Sequence, residues 1–221
     1  MDWQALALSL ELATVTLLVL LPAGLWLGRW LANTRLAGKS WIEAVVVLPL
    51  VLPPTVLGYY LLVSLGGASP VGAWLQQAFG VRLTFNFLGL LIASVIFNIP
   101  FMVQPVQRAF EAIPRALGEA AAVSGLSAWQ TFWRVELPLA WPGVLSACVL
   151  TFVHTLGEFG VVLMVGGSIP GETKTIAISI YDRVQAFDLG GANPMALLLL
   201  VFSLLAVGAS FFASAKLALR R

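Results

Sequence analysis

The sequence predicts an all-α, polytopic membrane protein with about five transmembrane helices, and three observations carry that expectation. Of its 221 residues, 60% are hydrophobic and only 10% charged, where a soluble domain has about a quarter charged. The apolar residues fall into long runs, close to the ~20 residues a helix needs to cross a bilayer. The basic residues gather between alternate runs rather than spreading along the chain. Hydrocarbon offers no partner to open backbone groups, so runs of this kind are read as helices.

The first span covers about Leu12 to Leu27 with some flank. Asp2 and Glu11 stand where a signal peptide carries basic residues, so the run reads as a retained span. The second covers Ala44 to Val63 and holds Pro49, Pro53 and Pro54. The third lies between Arg82 and Arg108 and holds Pro100 and Pro105. Proline removes a helical hydrogen bond and clashes with the preceding turn, so both spans are expected to kink. Freed carbonyls are tolerated in a membrane where they face protein or a wet cavity. Pro49, Pro53 and Pro54 are therefore candidates for a pathway or gate, plain bending being the alternative. The fourth span lies between Glu136 and Glu158, the fifth between Asp188 and Lys216.

Two connections have room for short helices, one near Ala73 to Phe79 and one around Thr175 to Ala186. The second falls in the charged stretch Gly166 to Gly191, read as an outer-face excursion with a re-entrant sixth element as the alternative. No repeat or second domain is visible, so residues 1–221 are expected to form one transmembrane domain.

Nine of the twelve Lys and Arg residues lie in three places: Arg29, Arg35 and Lys39; Arg108, Arg115 and Arg134; Lys216, Arg220 and Arg221. Short loops rich in Lys and Arg stay cytoplasmic. The expected orientation is N-terminus outside, C-terminus inside.

The most polar long stretch between spans is EAAAVSGLSAWQTFWRVELPLAWP, Glu119 to Pro142. Ala120, Ala121 and Ala122 favour helix, and Gly125 can take the left-handed conformation that ends one. Ser127 and Gln130 have the spacing of a capping box, so a second helix is expected to start there. Trp129, Phe132 and Trp133, at i, i+3 and i+4, give it one aromatic face suited to the lipid–water interface.

On the fourth span Thr151, His154, Thr155 and Glu158 fall on one face, a polar stripe on an apolar helix. An ionisable group there costs a few kcal/mol on insertion scales and should face protein. Thr151, Thr155 and Glu158 are candidates to line or gate a pathway; the alternative is a stripe satisfied by a neighbouring helix, with Glu158 locking that helix. His154 and Glu158 make only half a metal site and nothing completes it. Asn33 to Ser40, NTRLAGKS, lacks the first glycine and the strand–helix setting of a phosphate-binding loop, so any ATP hydrolysis must come from a partner. One cysteine, Cys148, excludes an internal disulfide. No catalytic triad, carboxylate pair or basic nucleic-acid patch stands out.

The Glu119 stretch resembles the cytoplasmic EAA loop of ABC importer permeases. That pattern is Glu-Ala-Ala, three residues, Gly, then a hydrophobic stretch with Pro, matched by Glu119, Ala120, Ala121, Gly125, Phe132 and Pro138 within a loop of about residues 109–138. PLVLPPTVLGYYLLV (Pro49 to Val63), LGEFG (Leu156 to Gly160) and IPGETKT (Ile169 to Thr175) are similar to the molybdate permeases of that family, LGEFG being shared in looser form by sulfate permeases. The likeness runs from about Leu6 to the last span.

The resemblance implies a non-catalytic importer subunit of the bacterial inner membrane, without a cofactor. It implies two copies forming the pore, two copies of an ABC ATPase gripping the loop, and a periplasmic oxyanion-binding protein delivering molybdate. Permeases for sulfate or tungstate, and a membrane-embedded enzyme built on the Thr151–Glu158 stripe, are the alternatives.

Overall fold

A computed structural model describes residues 1–218, with side chains through residue 213. The expectations for Arg220 and Arg221, and for the Lys216 side chain, lie outside the described residues.

Among the described residues, eleven α-helices and one π turn follow in order: α1 (Trp3–Asn33), α2 (Lys39–Val51), α3 (Pro54–Leu65), α4 (Pro70–Phe79), α5 (Phe87–Glu111), α6 (Arg115–Val123), α7 (Ala128–Thr131), the π turn (Phe132–Glu136), α8 (Leu137–Gly157), α9 (Gly160–Gly166), α10 (Ile176–Gln185) and α11 (Leu189–Ala218). α1, α5, α11 and the rod from α7 through α8 are each long and apolar enough to cross a bilayer.

α5 is the centre of the bundle. Its hydrophobic stretch is 50% buried, whereas that of α11 is only 11% buried. Leu20, Met102, Val106, Phe110, Ala140, Val144 and Ala147 tie α1, α5 and α8 into one cluster. Leu12, Leu90, Val162 and Ile178 extend the contact to α9 and α10. α11 packs on α8 and α10 and leaves Leu197, Leu200, Leu204, Leu205 and Phe212 exposed, as a lipid-facing helix does.

Hydrophobicity alone cannot hold helices together in lipid; close approach of backbones does much of that work. Gly24 and Gly28, one turn apart on α1, lie against Met102 and Val106 of α5. A Cβ on Gly28 would sit 2.7 Å from Val106 Cγ1 and 3.0 Å from the Gln107 backbone nitrogen.

The second span differs from expectation. It is two helices, α2 and α3, meeting at 105° at Leu52–Pro53, a break rather than a kink. Pro53 caps and Pro54 opens α3, while Pro49 is carried inside α2 and buried. Pro100 and Pro105 likewise sit within the continuous α5.

Charges segregate to the two ends of the bundle. At one end Arg29 pairs with Glu136 and Lys39 with Glu43 and Glu111, while Arg108 pairs with Glu111. At the other, Asp2 caps α1 and accepts from Ser179 at 2.8 Å, and Lys174 pairs with Asp182. Residues 166–191 form a surface excursion with α10 packed on α1 and α11, and α4 occupies the other expected short helix. NTRLAGKS spans the end of α1, the turn at residues 34–38 and the start of α2.

Candidate functional site

The Glu119 loop is a compact helix–turn–helix. α6 ends in a Schellman arrangement: the Leu126 N–H donates to Ala121 O and the Gly125 N–H to Ala122 O, both at 3.0 Å. Gly125 has φ +77°, the left-handed region that disfavours any Cβ. Ser127 then opens α7 with a reciprocal capping box, its hydroxyl accepting from the Gln130 N–H and its own N–H donating to Gln130 Oε1. Ala121 is the one residue of α6 that is buried. Glu119 and Ala120 face solvent, and Val123 (91% exposed) and Trp129 (70%) leave an apolar surface uncovered. A groove of about 320 Å³ runs beside it, lined by Arg35, Arg115, Glu119 and Glu136 among others.

The expected single aromatic face is split. Trp129 and Trp133 are exposed, but Phe132 turns inward, stacking on Phe110 at 6.3 Å and lying 5.3 Å under the Arg29 guanidinium. Phe132 still donates its N–H to Ala128 O, and a π turn closed by the Leu137 N–H on Phe132 O follows. Its position has a physical reason. Proline at 138 clashes with the carbonyl four residues back in a regular α-helix, and a π turn opens that ladder. So α7, the π turn and α8 form one rod, Ala128–Gly157, rather than a loop helix and a separate span. At 1.5 Å per residue, thirty residues reach about 45 Å. Arg29 Nε to Glu136 Oε2, 2.5 Å, ties α1 to its first third.

The rod ends at Glu158, which is extended (ψ 127°), and α9 resumes at Gly160. This second break abuts the first. A Cβ on Gly160 would lie 2.9 Å from Pro54 Cβ, and one on Gly58 would lie 2.7 Å from Met164 Cβ. Leu57, Ala93, Phe97, Val161 and Val165 seal the junction of α3, α5 and α9.

Glu158 is buried against α5. Its Oε2 accepts from Ser94 Oγ at 3.0 Å and Asn98 Nδ2 at 3.2 Å. Asn98 Oδ1 lies 3.0 Å from His154 Nδ1, and the imidazole stacks on Phe101 at 3.8 Å. The amide orientation of Asn98, fixed by its donation to Ser94 O and Glu158, makes His154 Nδ1 the protonated nitrogen. Thr151 and Thr155 are fully buried, the Thr155 hydroxyl donating to Thr151 O at 2.8 Å. The stripe thus faces protein in this conformation. Ser94 and Asn98 were missed in the sequence, although two polar residues four apart in an apolar span signalled a shared face.

An apolar helix bundle whose exposed helix–turn–helix continues through one rod into two abutting helix breaks defines a multi-pass membrane subunit. The chain belongs to the family of binding-protein-dependent transport system inner membrane components, whose pattern matches residues 21–221. It is 48% identical over 211 residues to the molybdenum transport system permease protein ModB of Azotobacter vinelandii, covering 95% of this chain and 93% of that one. It is 35% identical over 184 residues to the sulfate transport system permease protein CysT of Escherichia coli K12, covering 82% and 65%. In fold it matches a chain of a bacterial ABC transporter that imports alginate, with a TM-score of 0.76 at 19% identity, covering 96% and 78%. The chain is accordingly a multi-pass, non-catalytic permease subunit of a binding-protein-dependent transport system.

Proposed function

We propose that this subunit imports molybdate, and that the Glu119 loop drives the two helix breaks. Residues 1–221 act as one transmembrane domain. Two copies line the pore, two ATPase subunits grip the loop at its exposed Glu119 and Ala120 while Ala121, Gly125, Phe132 and Pro138 shape it from within, and a periplasmic oxyanion-binding protein loads the far side. The N-terminus lies outside and the loop in the cytoplasm, as the segregation of Arg29, Arg35, Lys39, Arg108, Arg115 and Arg134 favours.

The observation that carries the mechanism is the unbroken rod from Ala128 to Gly157. A helix transmits displacement along its axis, so a push on α7 reaches Glu158. There the Pro53–Pro54 break meets Gly160 through Pro54, and Thr151, Thr155 and Glu158 form the rod's contact with its neighbours. Pro49 sets the packing of α2 behind the break. Molybdate is favoured over sulfate because the molybdenum relative is both the more similar and the more fully covered.

Two measurements test this. ATPase activity of the complete complex with its binding protein should rise far more with molybdate than with sulfate; equal stimulation removes the substrate assignment. For the gate, Pro54→Cys with Gly160→Cys, in a Cys148→Ala background, should arrest uptake when oxidised and recover on reduction. Uptake that continues through the bridged pair places the moving junction elsewhere.

A further inference from the structure

Glu158 carries more chemistry than a helix anchor needs. It is a carboxyl held inside the hydrophobic bundle, 4% exposed, with two donors on Oε2. Its other oxygen, Oε1, has no hydrogen-bond partner among the described residues. Among those residues no cation faces it from any element packed nearby. α5 presents neutral Ser94 and Asn98, and the ionisable residues of α5, Arg108 and Glu111, sit at its far end, paired. α8 presents His154, bonded to Asn98 rather than to the carboxyl, and Cys148, lower on the rod. α9 has no ionisable side chain, nor does α11 over its described side chains. On α3, Tyr59 and Tyr60 point outward. On α10, Tyr181 packs on Phe159, Asp182 pairs with Lys174 and Arg183 with Asp188. On α1, Glu11 is exposed and Asp2 is engaged by Ser179.

An ionised carboxylate with no counter-charge is expensive in such surroundings, whereas a carboxylic acid leaves only one O–H without an acceptor. We propose that Glu158 is a proton-binding latch: a neutral acid that clamps the α8–α9 break to Ser94 and Asn98 of α5 and takes up one proton from water each time the break closes. Opening wets the carboxyl, the Oε1–H bond gives its proton back to water, and the carboxylate resists reburial. The ligand is the proton alone, with no other reactant.

The sign follows from linkage. The closed state binds one more proton than the open state, so low pH favours closure. The closed-to-open ratio falls roughly tenfold per pH unit only between the pH at which the open-state carboxyl ionises and the higher pH at which the closed state loses its proton; below and above that window the dependence is flat. This inference rests on reading the break as the moving part, but its primary readout is a vibrational band rather than transport.

The test is infrared spectroscopy of the complete importer in lipid vesicles, in H₂O and D₂O. Wild type minus Glu158→Gln should show one carboxylic-acid C=O band that shifts on deuteration and fades as pH rises. The Gln variant is first shown to co-purify with the ATPase. Should it fail to assemble, the pH titration of the band in wild type alone decides. A wild-type difference spectrum with no acid band near neutral pH overturns the latch and leaves the gate reading intact. A band that is present while the oxidised Pro54→Cys, Gly160→Cys variant still transports removes the gate and leaves the protonated acid.

Discussion

Gly125→Pro should abolish ATP-driven uptake while the subunit still inserts into the membrane. Gly125 sits at φ +77° and its N–H donates to Ala122 O. Proline fixes φ near −65° and has no N–H, so both features of the Schellman turn are lost, at a cost of about 3 kcal/mol or more in comparable settings. A Cβ at this position would meet nothing within 4 Å, so the effect is conformational rather than steric. Losing the turn re-aims α6 relative to α7 and scatters Glu119, Val123 and Trp129, which together form the exposed surface. The spans are untouched, because the turn lies outside them. Gly125→Asn is the control: Asn tolerates the left-handed region and should keep most of the uptake. Normal transport by Gly125→Pro would remove the loop from the coupling path.

Gly28→Leu should markedly destabilise the bundle. The Gln107 nitrogen, 3.0 Å from the new Cβ, is backbone and cannot rotate aside as the Val106 methyl can. α1 must therefore lift from α5, which also loosens Leu31 against Val46 and Val103 and strains the Arg29–Glu136 pair beside it. Overpacking of this kind costs about 1–3 kcal/mol at a single site. Thermal loss of the monodisperse complex in detergent should occur well below the wild-type midpoint. Gly38→Leu, with nothing within 4 Å of its Cβ, should leave that midpoint in place. A Gly28→Leu midpoint equal to wild type would mean the helices are held elsewhere.

Both sites show what a one-dimensional reading can and cannot reach. The Gly125 turn was legible because its signals are local: a run of alanines, a glycine, and a serine three residues before a glutamine. The capping box and the two short surface helices were legible for the same reason. Gly24 and Gly28 were not, since small residues one turn apart acquire meaning only when another backbone is seen to approach them. The Pro53–Pro54 break was visible as a disturbance, but its 105° bend depends on packing at both of its sides.

The amino-acid order by itself determined an all-helical membrane subunit, the approximate places where most of its helices start and stop, and the loop that marks the family. Those properties follow from transfer free energies and capping chemistry, which act over a few residues at a time. The tertiary structure decided that Pro138 is absorbed by a π turn, so that loop and span become one lever, and that Phe132 faces inward under Arg29. It also decided that Glu158 meets Ser94 and Asn98, residues about sixty positions away along the chain. A buried carboxyl's charge depends on which groups surround it in space, and that is settled only when the helices have packed.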